Sequence, residues 1–229
     1  MKQTQEQVAR PTGKNIRLKY LSYVPPEAGL QPAGRLPAIF FLHGAGERGF
    51  ALQRLLTYGI PRAVEESADF PFIAISPLCP PGRWWPDLLD ELELLYEEAA
   101  SRYPVDLERV SLTGVSMGGF GAWAWGAAHP EHFCAVAPVC GGGTATQGFP
   151  KQVQALKDTP VWAFHGALDT VVPLALSESL VRELTEAGGS VRFTIYPDFG
   201  HEAWIPTYAN PELYAWFLEQ RRDHPNPAG

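Results

Sequence analysis

Cysteine and methionine are scarce here, three and two among 229 residues. Cys79, Cys134 and Cys140 are an odd set without metal-ligand spacing, so neither a disulfide nor a zinc site is expected and each reads as a small buried thiol. Positive charge is short as well. Eighteen Lys and Arg against 25 Asp and Glu leave a formal net charge of -7, which opposes a phosphate backbone, and nucleic acid is not an expected partner. No apolar run approaches the roughly 20 residues of a membrane helix. The opening MKQTQEQVARPTGKN is polar and lacks the apolar core of a secretory signal. A cytoplasmic protein with no membrane partner is the expectation. Repeats are missing, and the one Gly-rich stretch, GGGTATQGFPK (141–151), is short enough to be a loop, so residues 1–229 are read as one domain.

What is present is core-forming material, 45% hydrophobic and 12% aromatic residues, in segments that alternate between strand and helix patterns. IRLKYLSYV (16–24) alternates as a half-buried strand does. LPAIFFLHG (36–44) and FPFIAISP (70–77) are continuous apolar runs suited to strands buried on both faces. ALQRLLTYGI offers a helical connection that Pro61 is expected to interrupt, and DLLDELELLYEEAASRY (87–103) a second helix. RVSLTG (109–114), FCAVAPV (133–139), PVWAFHG (160–166) and SVRFTIYP (190–197) read as further strands. Helical segments SMGGFGAWAWGAAHP, LALSESLVRELTEAG and PELYAWFLEQRR lie among and after them. Such alternation predicts a mostly parallel sheet with helices on both faces.

Gly114-Val115-Ser116-Met117-Gly118 has the spacing of a nucleophile elbow, G-x-S-x-G, and stands where that turn belongs, after a strand and before a helix. A serine hydroxyl is a weak nucleophile at neutral pH. It needs a base, and the base needs an acid to orient it. Asp169 follows the strand PVWAF and His201 follows the strand SVRFTIYP, in the order nucleophile, acid, base. Asp158 precedes its strand and Asp198 sits three residues before His201, so both are read as turn residues. Among the other histidines, His129 and His132 flank Pro130 at a helix end, His224 lies in the polar tail, and His165 is expected to buttress the Asp169 loop.

His43 belongs to a separate segment, LHGAGERG after the strand AIFF, where backbone amides can face developing negative charge. Ala45 and Met117 are the expected oxyanion donors, the second at a helix N-terminus. A phosphate-cradling loop is the competing reading of this glycine-rich turn; G-x-x-x-x-G-K-[ST] is absent. Trp84 and Trp85 in CPPGRWW, and Trp204 just after His201, are candidates to line a substrate pocket, while Trp123 and Trp125 fall mid-helix and belong to the core.

LHGAGERG, GVSMGGFGAW, HGALDTVVP and GHEAW, in this order over most of the chain, resemble the small carboxylesterase and phospholipase-like branch of the α/β-hydrolases, near sequences described as predicted peptidases or feruloyl esterases. The resemblance implies an α/β-hydrolase fold with Ser116 as nucleophile, Asp169 as acid, His201 as base and Ala45 and Met117 as oxyanion donors. It implies no metal and no organic cofactor. Dienelactone hydrolases are similar in size but use cysteine where this chain has Ser116. The expected reaction is hydrolysis of a small carboxylic ester through an acyl-enzyme; a peptidase using the same three residues, and a hydrolase-fold module that only binds a ligand, are the rivals. The interval GGGTATQGFPKQVQALKDT, where this fold commonly carries a cap, has room for a loop and one short helix, so no large cap domain is expected.

Overall fold

A computed structural model describes residues 2–10, 16–26, 34–49 and 51–222. Eight strands form one sheet: β1 (Thr4–Arg10), β2 (Ile16–Tyr23), β3 (Leu36–Leu42), β4 (Ile73–Leu78), β5 (Val105–Val115), β6 (Ala135–Val139), β7 (Val161–Gly166) and β8 (Val191–Tyr196). Their spatial order is β1-β2-β4-β3-β5-β6-β7-β8. The first two pairings are antiparallel and the rest parallel. The helices are α1 (Gly59–Glu66), α2 (Leu89–Arg102), α3 (Met117–Ala128), α4 (Leu174–Glu186), α5 (Trp204–Ala209) and α6 (Pro211–Glu219).

β3 shows why the apolar runs are continuous. All seven of its residues are buried, and the pleat sends alternate side chains to opposite faces. Ala38, Phe40 and Leu42 join Leu92 and Leu95 of α2 and Trp123 and Trp125 of α3. Ile39 and Phe41 join Ile60 and Val64 of α1 and Leu213 and Phe217 of α6. A strand with a core on each side has no use for polar alternation. The three cysteines are buried thiols, Cys79 just after β4 and Cys134 and Cys140 on either side of β6.

The structure departs from the pattern reading in three places. TQEQVAR forms β1, an edge strand paired along its whole length with β2; backbone hydrogen bonds hold it, and Val8 is its one buried large apolar side chain. Pro61 does not interrupt a helix. It sits in the first turn of α1, where an amide has no intrahelical acceptor to lose, and the residues before it form a 3-10 segment, Leu52–Thr57. Pro206 stands likewise in the first turn of α5, a helix of 6 residues, too short to show an apolar period in the sequence. Between β6 and β7 the chain makes two short 3-10 segments, Ala145–Gln147 and Lys151–Leu156, and carries no cap domain. His224 lies outside the described residues.

Connectivity places the site. From β3 the chain runs through α1 to β4 on one side, then crosses through α2 to β5 on the other, so direction reverses between β3 and β5. Open parallel sheets have their crevice at such a point, beyond the carboxyl ends of the strands. Leu42 and Gly114 are paired there. α3 starts directly above, so close that a Cβ on Gly118 would overlap the Leu42 carbonyl. Neither partner is a flexible side chain. Gly118→Ala is therefore expected to lower stability by about 3 kcal/mol, from backbone displacement in a packed layer. Urea denaturation would measure it, and a loss below about 1 kcal/mol would mean that α3 is free to shift.

Candidate active site

Ser116 joins β5 to α3 with φ 54° and ψ -114°, a positive-φ conformation uncommon for a residue with a side chain. Its amide donates to Val139 O (2.9 Å), which fixes the turn against the end of β6. His201, in the loop between β8 and α5, lies with Nε2 2.8 Å from Ser116 Oγ and Nδ1 2.7 Å from Asp169 Oδ2. Asp169 lies in the loop after β7, its side chain closed to solvent. Its Oδ1 accepts the amides of Val171 (2.8 Å) and Val172 (2.9 Å). Burial works to raise the Asp169 pKa, but the hydrogen bond from His201 and those two amides outweigh it and hold the carboxyl below its ordinary range. An ionised Asp169 keeps the proton on Nδ1 and leaves Nε2 to accept from the Ser116 hydroxyl.

The two loops meet because β7 ends in Gly166. A Cβ there would overlap the Gly200 carbonyl, one residue before His201, and the Leu168 amide then donates to Phe199 O (2.9 Å). His165 braces the Asp169 turn as the sequence suggests: its Nε2–H donates to Val172 O (2.9 Å), and Nδ1 is 2.8 Å from Ser177 Oγ. Burial lowers its pKa and favours the neutral ring. Asp198 is an exposed turn residue and Asp158 precedes β7, away from His201's loop.

Ala45 opens a 3-10 turn, Ala45–Glu47, and Met117 opens α3, so neither amide has an acceptor within its own helix. The loop holding Ala45 is pinned from several sides. Tyr58 Oη accepts the Gly44 amide (2.7 Å) and donates to Glu47 Oε2 (2.6 Å). Arg54 donates to Gly46 O (2.6 Å) and Arg48 Nε to Ala45 O (3.2 Å). His43 is wholly buried; Nδ1–H donates to Gly44 O (2.6 Å), and Nε2 accepts the Cys79 amide (2.9 Å). Gly44, Gly46 and Gly49 do follow the G-x-G-x-x-G spacing of a dinucleotide loop. That motif works by opening a helix onto the pyrophosphate, and here one 3-10 turn ends at Arg48 in extended backbone.

The three tryptophans separate. Trp85 is a correction: it is wholly buried, and its indole N–H donates to His43 O (2.9 Å), so it supports the loop from beneath and has no face for a ligand. Trp84 is half-buried against Phe120. Trp204 is half-buried with its ring edge-on to His201 at 5.7 Å and 5.7 Å from Tyr58. No motif announced Tyr58, whose role arises only when its segment folds back over the loop. Cys140 was also unannounced as a neighbour of the site. Its sulfur can approach Asp169 and His201 atoms within 4.8 Å, and burial first, with the Asp169 charge second in support, pushes the thiol far above its usual range.

A mostly parallel sheet with a serine elbow after a central strand is the α/β-hydrolase arrangement. Within it, the chain belongs to the phospholipase/carboxylesterase family, whose sequence profile matches residues 91–208, about half its length. Candidate carboxymethylenebutenolidases of Yersinia pestis and Escherichia coli O157:H7 are 30% and 31% identical over 106 residues, 44% of this chain and 40% and 39% of theirs. The aligned region thus spans about two fifths of these curated relatives. A solved thermostable esterase is 32% identical with a TM-score of 0.81, covering 96% of this chain and 64% of that one. A candidate dienelactone hydrolase from Klebsiella pneumoniae, 20% identical with a TM-score of 0.67 over 95% of this chain and 99% of that one, shares the fold. No helix among the described residues is long and apolar enough to cross a membrane.

His43 gives the loop a measurable pH dependence. Burial lowers its pKa from 6.5 to about 4, so the unfolded chain takes up a proton at a pH where the folded ring is still neutral. Stability is then complete above about 6.5 and is lost as pH falls toward 4, by up to about 3 kcal/mol. His165 acts with the same sign. Asp169 acts in a lower window, below 3.8. Urea midpoints between pH 7 and pH 4 should fall for the wild type and fall less steeply for His43→Asn; parallel curves would show that His43 does not stay neutral in the fold.

Proposed function

We propose that this protein is a serine carboxylesterase acting on short-chain, water-soluble esters. The observation that carries the reading is His201 bridging Ser116 Oγ and Asp169 Oδ2 in one chain of hydrogen bonds. Ser116 Oγ attacks the ester carbonyl as His201 Nε2 takes its proton, and the tetrahedral oxyanion rests on the amides of Ala45 and Met117. The imidazolium then protonates the leaving alcohol, and water attacks the acyl-enzyme by the same route. Asp169 stabilises the imidazolium without accepting its proton. Trp204 and Trp84 flank the substrate. Cys140 is no rival nucleophile, because thiolate formation is suppressed by its burial.

The substrate class follows from openness. Leu168, Val171 and Ile205 are exposed beside Asp169 and Trp204, and the short β6–β7 connection offers no lid to uncover a lipid-binding face. Peptide bonds need remote binding energy that such a rim does not provide. The likeness to proteins named for a butenolidase makes a cyclic ester a fair additional substrate.

Ser116→Ala and His201→Ala are expected to cut kcat a thousandfold or more, with Asp169→Asn also severely impaired and circular dichroism unchanged. His129→Gln and His132→Gln should keep wild-type turnover. Activity of Ser116→Ala within tenfold of wild type would refute the nucleophile. Across p-nitrophenyl acetate, butyrate, octanoate and palmitate, a simple enol lactone and aminoacyl p-nitroanilides, kcat/KM should be highest for the short esters. A preference for palmitate or for an anilide over butyrate would overturn the substrate assignment.

A further inference from the structure

At the far end of α3 from Ser116, two histidines and a carboxylate converge without any part in the site above. Glu93 projects from α2, His129 caps α3, and His132 ends a 3-10 turn, Pro130–His132. Glu93 Oε2 lies 2.7 Å from His132 Nε2 and 3.4 Å from His129 Nδ1, and the three donor atoms all lie within 4.8 Å of one another. Around a tetrahedral ion with bonds near 2.1 Å, ligand atoms stand roughly 3.4 Å apart, so the spacing of these atoms suits one cation once the His129 ring turns to aim its nitrogen at it.

We infer that Glu93, His129 and His132 form a binding site for a divalent transition ion of the zinc class. The donor set is one carboxylate and two imidazoles, and the borderline imidazole nitrogens suit Zn²⁺ better than the hard cations Ca²⁺ and Mg²⁺. Glu131 Oε1, 3.2 Å from His129 Nδ1, or water supplies the fourth position. Support from outside the donor set is built in. The Trp125 indole N–H donates to Glu93 Oε1 (2.5 Å), which orients Oε2 toward the imidazoles. Tyr96 stacks on His132 at 3.9 Å and 9° and fixes that ring. The rings of His129 and His132 lie nearly parallel, at 10°, so a shared ion draws His129, the more exposed of the two, round its χ2 to turn Nδ1 inward. The carbonyl end of α3 favours a cation at this place. Twelve residues of α3 separate the cluster from Ser116, about 18 Å of helix. The ion therefore has no part in ester cleavage. It ties α2 to the turn between α3 and β6.

The test is calorimetric titration of metal-free protein without a histidine tag, using zinc chloride, with the melting temperature read in parallel. One equivalent of Zn²⁺ should bind and raise Tm. Affinity should fall at least tenfold in Glu93→Gln, His129→Gln and His132→Gln, with the Tm rise lost. His129→Gln, at the exposed rim, guards against misfolding of the Glu93 variant, whose neutral amide is a weaker acceptor for Trp125 than the carboxylate. His201→Gln should bind as tightly as wild type. Absence of saturable binding, binding unchanged in the three variants, or binding lost in His201→Gln would each overturn the site.

Discussion

The arrangement depends on how closely α3 approaches the sheet. With Gly118 against the Leu42 carbonyl, the chain has almost no length in which to turn from strand to helix, and Ser116 takes up the reversal in a positive-φ conformation. A residue so placed projects its side chain away from the sheet edge and leaves the following amides at a helix N-terminus. Strain of this kind, of order 1–3 kcal/mol, persists only where surrounding structure enforces it. Here the enforcement is the packed layer of Phe40, Trp123 and Trp125 and the amide bond from Ser116 to Val139 O.

Around this turn the other pieces are fixed by neutral, fully satisfied groups more than by charge. His43 and His165 are both buried, both bonded at each ring nitrogen, and both shifted toward the neutral form. One holds the Ala45 loop and the other the Asp169 turn. Neutral imidazoles suit this task because they avoid the desolvation cost of an ion, and His43 joins the Cys79 amide directly to the Gly44 carbonyl. The surface ion pairs are distributed elsewhere, as in Arg62–Glu66 and Arg102–Glu98 along single helices, where each adds little.

The meeting of Ser116, Asp169 and His201 was legible because the three obey chain order and each follows a strong apolar strand. The central strands were legible for a related reason, since burial on both faces writes an unbroken run into LPAIFFL and FPFIAIS. β1 was not, because an edge strand is made by backbone pairing and TQEQVAR needs few apolar side chains to form it. Pro61 and Pro206 misled or hid their helices because a proline breaks a helix interior but is accepted in a first turn, and only the structure says where a turn begins. Trp85 looked like pocket lining from its loop context; its bond to His43 O, 42 residues away in sequence, could not be read locally. Tyr58 was invisible for the same reason, its partners being Gly44 and Glu47 across a folded-back segment.

The buried thiols give the molecule a set of internal clocks. Cys79 lies next to β4, and Cys134 and Cys140 lie at opposite ends of β6, all with almost no solvent exposure. A thiol-directed reagent reaches each sulfur only when its own region opens, so labelling at the three positions follows three local opening equilibria rather than one global unfolding. Cys140, beside Asp169 and His201, times the breathing of the floor beneath them. Cys134, at the amino end of the same strand, times the opposite edge of the sheet, and the ratio of the two rates measures how far β6 moves as a unit.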